Sequence, residues 1–93
     1  MRRRRHRARP VVTLYTRAGC GLCERAGRLA RREAGRGEFR TVDVDTDPAL
    51  VRRYGVRVPV ITVDDVEVAE LELAPGQVRR AVRTARQAAR PRG

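Results

Sequence analysis

The sequence predicts a small α/β fold in which helices flank a central four-stranded mixed sheet, with the element order β-α-β-α-β-β-α. Short β-branched runs alternate with segments whose apolar residues recur at helical spacing, and glycine or proline stands at most boundaries between them. The length supports the same conclusion, because 93 residues are enough for one core and leave no room for a second catalytic domain.

Three elements occupy the first half of the chain. Val11–Tyr15 is a short apolar run that predicts a buried strand, and the loop Thr16–Gly19 follows it. From Gly21 to about Ala34, apolar residues recur at helical spacing with arginines between them, and Gly35 ends the predicted helix. The stretch Glu38–Asp45 predicts the second strand.

The second half begins with a short helix. Thr46–Pro48 supplies an N-cap and a proline in the first turn, and the helix is predicted to run to about Tyr54, where Gly55 ends it. Val56–Val63 is the run richest in β-branched residues and predicts the third strand, although Pro59 inside it removes one hydrogen-bond donor.

A hairpin and a final helix complete the predicted fold. Asp64–Asp65 predicts a tight turn into a fourth strand at Val66–Ala69. Pro75–Gly76 precedes the last helix, which is predicted to run from Gln77 to about Ala89 because its apolar residues fall on one face.

The positive charge is concentrated at the two ends of the chain. The formal net charge is +11, and six arginines lie in Met1–Arg9 and six in Val78–Gly93, which hold no acidic residue. The ten arginines between them face eleven acids, so the middle of the chain has a net charge of −1. We predict a basic disordered N-terminal extension at residues 1–9, a domain at 10–88 and a basic tail at 89–93, because runs of like charge repel one another.

Targeting signals and membrane spans are not expected from this sequence. The apolar stretch after Pro10 is shorter than the roughly 7 to 15 residues of a signal-peptide core, and nothing approaches the roughly 18 apolar residues of a membrane span. Two closely spaced cysteines do not make a secreted disulfide scaffold. We therefore expect a cytoplasmic protein with no membrane partner, in which a cysteine pair serves catalysis or metal binding.

The stretch Cys20-Gly21-Leu22-Cys23 is the predicted redox site. Cys20 comes where a strand and a loop lead into a helix, whose first N–H groups are unpaired and make this end electropositive. Thiol pKa values in such settings fall to roughly 3.5 to 7.5, which makes Cys20 the predicted nucleophile. Cys23 lies on the same helix face and is predicted to resolve the mixed disulfide. Arg17 can add a cation near the sulfur or bind the carboxylate of a thiol substrate.

Other interpretations of the cysteines and of the charge are weaker. A purely structural disulfide would close so short a loop that it contributes only roughly 2 kcal/mol before strain is subtracted. A zinc site needs about four ligands, and the remaining candidate is His6. The Arg-rich termini can contact phosphates, but specific nucleic-acid binding would need stacking aromatics, which are scarce. A basic binding module therefore stays an alternative hypothesis, and no specific nucleic-acid partner is expected.

The residues around the cysteines resemble a known family. Leu14–Cys23 is similar to the glutaredoxin active-site stretch and Val58–Pro59 to its cis-proline site, so that the resemblance covers about Val11 to Ala85. The resemblance implies a thioredoxin-like fold and a cis Pro59 that faces Cys20. It also implies that the Val58 backbone pairs with a bound thiol peptide and that Arg17 helps to hold glutathione.

Several positions depart from the family's glutathione-binding pattern. Gly21 stands where proline is common, Leu22 where an aromatic is common, and Arg57 where threonine is usual. The Gly-Gly-Asp turn that holds the far carboxylate of glutathione has no counterpart, because the aligned stretch Val68–Glu72 carries two acids that would repel a carboxylate. The cysteine motif and the Tyr54–Val60 run look more like a branch of short bacterial glutaredoxin-like proteins.

The resemblance implies a thiol-disulfide oxidoreductase that reduces protein or low-molecular-weight disulfides through its dithiol site. Implied partners are disulfide substrates and a reductase, with glutathione or another small thiol as co-substrate, and we expect a monomer without a bound cofactor. An iron-sulfur cluster carrier that shares a cluster through Cys20 is the alternative. Asp43 and Asp45 are interpreted as strand-end charges and a cap, and Tyr54 as a core residue.

Overall fold

The structure, a computed structural model, describes residues 9–89, in which the elements follow the predicted order. Residues 1–8 and 90–93, which include His6 and most of the predicted basic extension and tail, lie outside the described residues. Between residues 9 and 89, no helix is long and apolar enough to cross a membrane. The strands and α-helices are β1 Val11–Thr16, α1 Gly21–Ala34, β2 Glu38–Asp43, α2 Pro48–Tyr54, β3 Val60–Val63, β4 Val66–Glu70 and α3 Gln77–Ala89.

The strands form a mixed sheet in the order β2-β1-β3-β4. β1 and β2 are parallel and α1 connects them, whereas β1 pairs with β3, and β3 with β4, in antiparallel fashion. Asp64 and Asp65 join β3 to β4, and both adopt positive φ angles, of 49° and 69°, as a two-residue hairpin turn with the twist of the strands requires. The tight turn predicted here is confirmed, with Asp65 at the second turn position, where glycine is usual.

Two apolar clusters cover the two faces of the sheet. The larger cluster joins α1 and α3 to β1 and β3, and the smaller one joins β3 to α2 and to the segment after β2. The buried residues of the larger cluster are Val12, Leu14, Ala26, Ala30, Ala34, Ile61, Val63, Val78 and Val82. The buried residues of the smaller cluster are Val44, Tyr54 and Val60. The interpretation of Tyr54 as a core residue is therefore confirmed.

The second strand is shorter than predicted, because it ends at Asp43 and not at Asp45. The side chain of Asp43 accepts a hydrogen bond from the backbone N–H of Asp45 at 2.9 Å, and this turns the chain into a 3-10 helix, Val44–Thr46. Val44, which the strand prediction included, is instead fully buried in the smaller cluster.

The third strand also differs from the prediction, since it begins at Val60 and not at Val56. The backbone N–H of Arg57 donates to the C=O of Tyr54 at 2.8 Å and so makes a turn directly after α2. Val56 lies in this turn with 93% of its surface exposed, so its β-branched side chain marks no strand. The segment Arg57–Pro59 is thereby left as a connection between α2 and β3.

The Glu33 carboxylate connects the C-terminal end of α1 to the N-terminal end of α3 by hydrogen bonds. Its carboxylate oxygens accept hydrogen bonds from the backbone N–H groups of Gly76, at 2.7 Å, and Arg79, at 3.0 Å. The side chain is only 1% exposed and lies 3.8 Å from the Arg79 guanidinium. A carboxylate from one helix therefore satisfies donors at the first turn of another, where N–H groups have no partner within the helix.

Candidate active site

Three strand ends bring the predicted site residues to one edge of the sheet. Because β1 and β2 are parallel, Thr16 at the end of β1 lies beside Asp43 at the end of β2. Because β3 runs the opposite way, its first residue, Val60, pairs with Tyr15. The cysteine loop after β1 and the Val58–Pro59 segment before β3 therefore lie at the same edge.

The two cysteines lie where this edge leads into α1. Cys20 and Cys23 form a disulfide, with Cα atoms 5.2 Å apart. Cys20 is the N-cap of α1, and its Sγ accepts a hydrogen bond from the backbone N–H of Cys23 at 3.1 Å. Cys20 is half-buried, whereas only 3% of the Cys23 surface is exposed. An incoming reagent therefore meets Cys20 first, at a sulfur that a helix N–H already faces.

The guanidinium of Arg17 is turned toward the ends of β2 and α2. Its Nη2 and Nε donate to the two carboxylate oxygens of Asp45 at 2.6 and 3.2 Å, and its Nη1 donates to the C=O of Gly55 at 3.2 Å. The hydrogen bond between them raises the pKa of Arg17 and lowers the pKa of the Asp45 carboxyl. These three bonds leave the remaining N–H groups of the guanidinium free for the roles predicted for Arg17, which are to place a cation near the Cys20 sulfur or to bind a substrate carboxylate. Both roles stay predictions.

The acids at the end of β2 and in the segment that follows it cap helices or pair with Arg17. Asp43 caps the 3-10 helix, as described above, and the cap interpretation is confirmed at this residue. Asp45 is the partner of Arg17. The N-cap predicted before α2 is Asp47, whose side chain accepts from the N–H of Ala49 at 2.9 Å.

Val58 and Pro59 form the second part of the site. The peptide bond between them is cis, as the resemblance implies. Pro59 is fully buried, and its C=O accepts a hydrogen bond from the N–H of Leu71 at 2.8 Å. Within the part of the chain that the structure describes, neither the N–H nor the C=O of Val58 has a hydrogen-bond partner. The Val58 backbone thus keeps both groups for a ligand, although its role in binding remains a prediction.

Arg57 holds the segment before β3 in place, a function that the sequence analysis missed. Its Nη1 donates to Glu67 at 2.9 Å and to Glu70 at 2.8 Å, and its Nη2 donates to the C=O of Arg53 at 2.9 Å. The hydrogen bond from Arg57 lowers the pKa of the Glu67 carboxyl. The sequence held no clear signal for this role, because Glu67 and Glu70 stand three positions apart and would lie on opposite faces of a regular strand; the register of β4 shifts opposite Ile61 and Thr62, and both acids reach Arg57.

No group of three or more His, Cys, Asp or Glu side chains within residues 9–89 is arranged to hold a metal ion. His6, the additional zinc ligand considered from the sequence, lies outside this range. The candidate site therefore consists of the cysteine pair, the N-terminus of α1 and the Val58 backbone, whose N–H and C=O have no hydrogen-bond partner in the described chain.

A family model and proteins of known sequence match this chain. Residues 11–83 match the family model of the glutaredoxin-like domain. An uncharacterised protein of Mycobacterium tuberculosis and one of Mycobacterium bovis are each 37% identical to the chain, over 77% of this chain and 81% of theirs.

Solved structures agree with this match. A structural genomics target protein from X. campestris is 33% identical, with a TM-score of 0.65, and covers 78% of this chain and 96% of its own. Chloroplastic thioredoxin z, at 20% identity and a TM-score of 0.67 over 87% of this chain and 81% of its own, shares the fold. The four-stranded mixed sheet with its three helices is thus a thioredoxin-like fold, and the close cysteine pair at its helix N-terminus indicates a redox function. By sequence and by structure, the chain belongs to the glutaredoxin-like family of the thioredoxin superfamily.

Proposed function

We propose that this protein is a thiol-disulfide oxidoreductase that reduces disulfides of proteins or small thiols with Cys20 and Cys23. The observation that carries the proposal is the position of the Cys20 sulfur, which caps α1 and accepts the N–H of Cys23 while forming a disulfide with that residue. An N–H donor and the positive end of a helix stabilise a thiolate more than a thiol. The arrangement therefore supports a sulfur that is nucleophilic near neutral pH.

In the first step, the Cys20 thiolate attacks one sulfur of the substrate disulfide. A bond forms between Cys20 and that sulfur, the substrate S–S bond breaks, and the other substrate sulfur leaves as a thiolate that takes a proton from water. The greater exposure of Cys20 favours it as the attacking sulfur, since Cys23 is 3% exposed.

In the second step, Cys23 gives up its proton to solvent and attacks the Cys20 sulfur. The mixed disulfide breaks, the second substrate thiol is released, and a Cys20–Cys23 disulfide forms. Two electrons have then passed from the protein dithiol to the substrate. The observed Cα separation of 5.2 Å allows this disulfide without movement of the backbone.

A thiol donor must then return the protein to its dithiol form. Glutathione or another low-molecular-weight thiol does so by becoming a disulfide itself, and a disulfide reductase does so with electrons from its own cofactor. The free N–H and C=O of Val58 support main-chain pairing with a bound thiol peptide. A reducing cytoplasm, the location expected from the sequence, is the compartment in which this cycle would run.

The test is turnover of a fluorogenic peptide disulfide by wild type, Cys20→Ser and Cys23→Ser. Loss of all turnover in Cys20→Ser, together with a mixed disulfide that accumulates in Cys23→Ser and is seen by intact mass, is the expected result. Equal effects of the two substitutions would overturn the assignment of roles. Parallel assays with glutathione plus its reductase and with thioredoxin reductase identify the electron donor.

A further inference from the structure

An open groove of about 790 Å³ leads away from the cysteine pair, between α1 and the loop Leu71–Pro75. Leu22, which lies between the two cysteines, lines the groove at the N-terminal end of α1. Leu71 lines its opposite side, and the N–H of this residue donates to the C=O of Pro59. One residue on each wall is therefore bonded or hydrogen-bonded to a residue of the candidate site, so that this end of the groove adjoins the site.

The groove offers an apolar surface of limited length. Leu22 and Leu29 from α1 and Leu71 and Leu73 from the loop contribute apolar side chains, and Leu71 is 44% exposed. From Leu22 to Arg32 the helix rises about 15 Å. An extended polypeptide covers that distance with about four or five residues.

The helix side of the groove is cationic. Arg25, Arg28 and Arg32 all line it, and their spacing of three and four residues places them along one side of α1. None of the three has an ion-pair partner among residues 9–89, whereas Arg17, Arg40, Arg57 and Arg79 all do. Glu72 is the acid that lines the groove, which leaves a net charge of +2 on its walls.

We propose that this groove docks an acidic polypeptide segment that adjoins the substrate's disulfide. The proposal rests on the proposed function and names its substrate class, which is a disulfide-bonded protein with carboxylates and apolar side chains beside the reactive cysteine. The unpaired arginines complement the carboxylates, and the leucines complement the apolar side chains. A polypeptide is favoured over a nucleic acid because, in the described chain, no aromatic side chain lines the groove for base stacking.

The test compares two peptides that differ only in charge. Both have one cysteine in a mixed disulfide with a fluorogenic thiol, flanked on each side by five residues, and in the second peptide every Asp and Glu is replaced by Asn and Gln. The values of kcat/KM are measured for wild type and for the variant Arg28→Glu/Arg32→Glu. The matched control is Arg83→Glu/Arg86→Glu on α3, which makes the same change in net charge at two residues that do not line the groove.

We expect wild type and the α3 control to prefer the acidic peptide by about ten-fold at low salt, and we expect the groove variant to lose that preference. Equal kcat/KM for the two peptides on wild type, or an equal loss in the α3 control, would overturn the docking proposal. An oligonucleotide of the same charge that competes for the groove as well as the acidic peptide does would overturn the choice of a polypeptide.

A binding measurement separates this proposal from the proposed function. Thioether versions of both peptides cannot react, so fluorescence anisotropy gives their affinities independently of turnover. If the acidic thioether is preferred but no disulfide is turned over, the docking surface stands and the oxidoreductase fails. If both disulfides turn over equally and both thioethers bind equally, the oxidoreductase stands and the docking surface fails.

Discussion

Arg17 and Asp45, 28 residues apart in the chain, form a two-point ion pair next to the cysteine loop. Arg17 is the residue that resembles the glutathione-holding cation of the glutaredoxin family, and in this protein a carboxylate of the chain itself already occupies it. A substrate carboxylate that approaches the Nε and Nη2 donors of Arg17 finds them already bound by Asp45 and has to displace it to form the same two-point pair. Asp45 is therefore expected to weaken the binding of small anionic thiols.

The substitution Asp45→Asn should make the site more receptive to glutathione disulfide. With the charge of Asp45 removed, Arg17 is held less tightly and can pair with the substrate's carboxylate, so we expect KM to fall by roughly two- to five-fold with little change in kcat. Steady-state assays with glutathione disulfide and with an uncharged disulfide measure the effect.

Asp47→Asn is the matched control for this prediction. It removes the same charge a short distance away, and asparagine remains a good N-cap for α2. An equal fall in KM for Asp47→Asn would show a general charge effect, and an unchanged KM in Asp45→Asn would show that Asp45 does not compete.

Arg57→Lys should loosen the segment that carries Val58. A lysine ammonium cannot reproduce the fork that reaches Glu67, Glu70 and the C=O of Arg53 together. We expect KM for peptide disulfides to rise by roughly three- to ten-fold, while the alkylation rate of Cys20 stays the same. Arg52→Lys, at an exposed position of α2, should leave both quantities unchanged; a slower alkylation in Arg57→Lys would mean that the effect reaches the sulfur itself.

Glu33→Gln should destabilise the fold. The near-isosteric amide can accept from only one of the N–H groups of Gly76 and Arg79 and carries no charge. We expect a loss of about 2 kcal/mol in the free energy of unfolding, measured by urea denaturation at neutral pH. Glu24→Gln, at an exposed position of the same helix, is the control and should lower the free energy of unfolding much less. Equal losses in the two variants would show that the hydrogen bonds of the Glu33 side chain between α1 and α3 add no stability of their own.

The contribution of Glu33 should depend on pH with a definite sign. Burial raises the pKa of this carboxyl, but hydrogen bonds from Gly76 and Arg79 and the charge of Arg79 together hold it below the ordinary value of 4.5. The unfolded chain thus binds the proton more readily, so the stabilisation is complete above about pH 4.5 and is lost as the pH falls through the lower folded pKa. The difference in unfolding free energy between wild type and Glu33→Gln should shrink in that direction, and a constant difference would contradict the assignment.

Much of the fold could be predicted because its signals are local. The helices Gly21–Ala34 and Gln77–Ala89 have the predicted bounds, since helical spacing and flanking glycines are visible within each segment. The predicted second and third strands were too long, because they included Val44 and Val56, which lie outside β2 and β3. β-Branched residues also occur in turns and caps. In these places a side-chain hydrogen bond from Asp43 and a turn after Tyr54 decide the outcome.

The candidate site could be predicted only in part for the same reason. Cys20 and Cys23 are neighbours in sequence, so their shared helix end follows from the pattern. The partners of Arg17 and Glu33 lie 28 to 46 residues away, and nothing in a single sequence pairs these residues. These long-range partners are therefore identified only by the three-dimensional structure.

The pH dependence of Cys20 alkylation in reduced Cys23→Ser is the most direct measurement of whether this sulfur is activated. The serine keeps the backbone N–H that faces the Cys20 sulfur, so the midpoint of the iodoacetamide rate should lie between about 3.5 and 7.5. A midpoint near 8.5, the value of an ordinary thiol, would mean that the helix end does not activate Cys20 and would remove the basis of the proposed function.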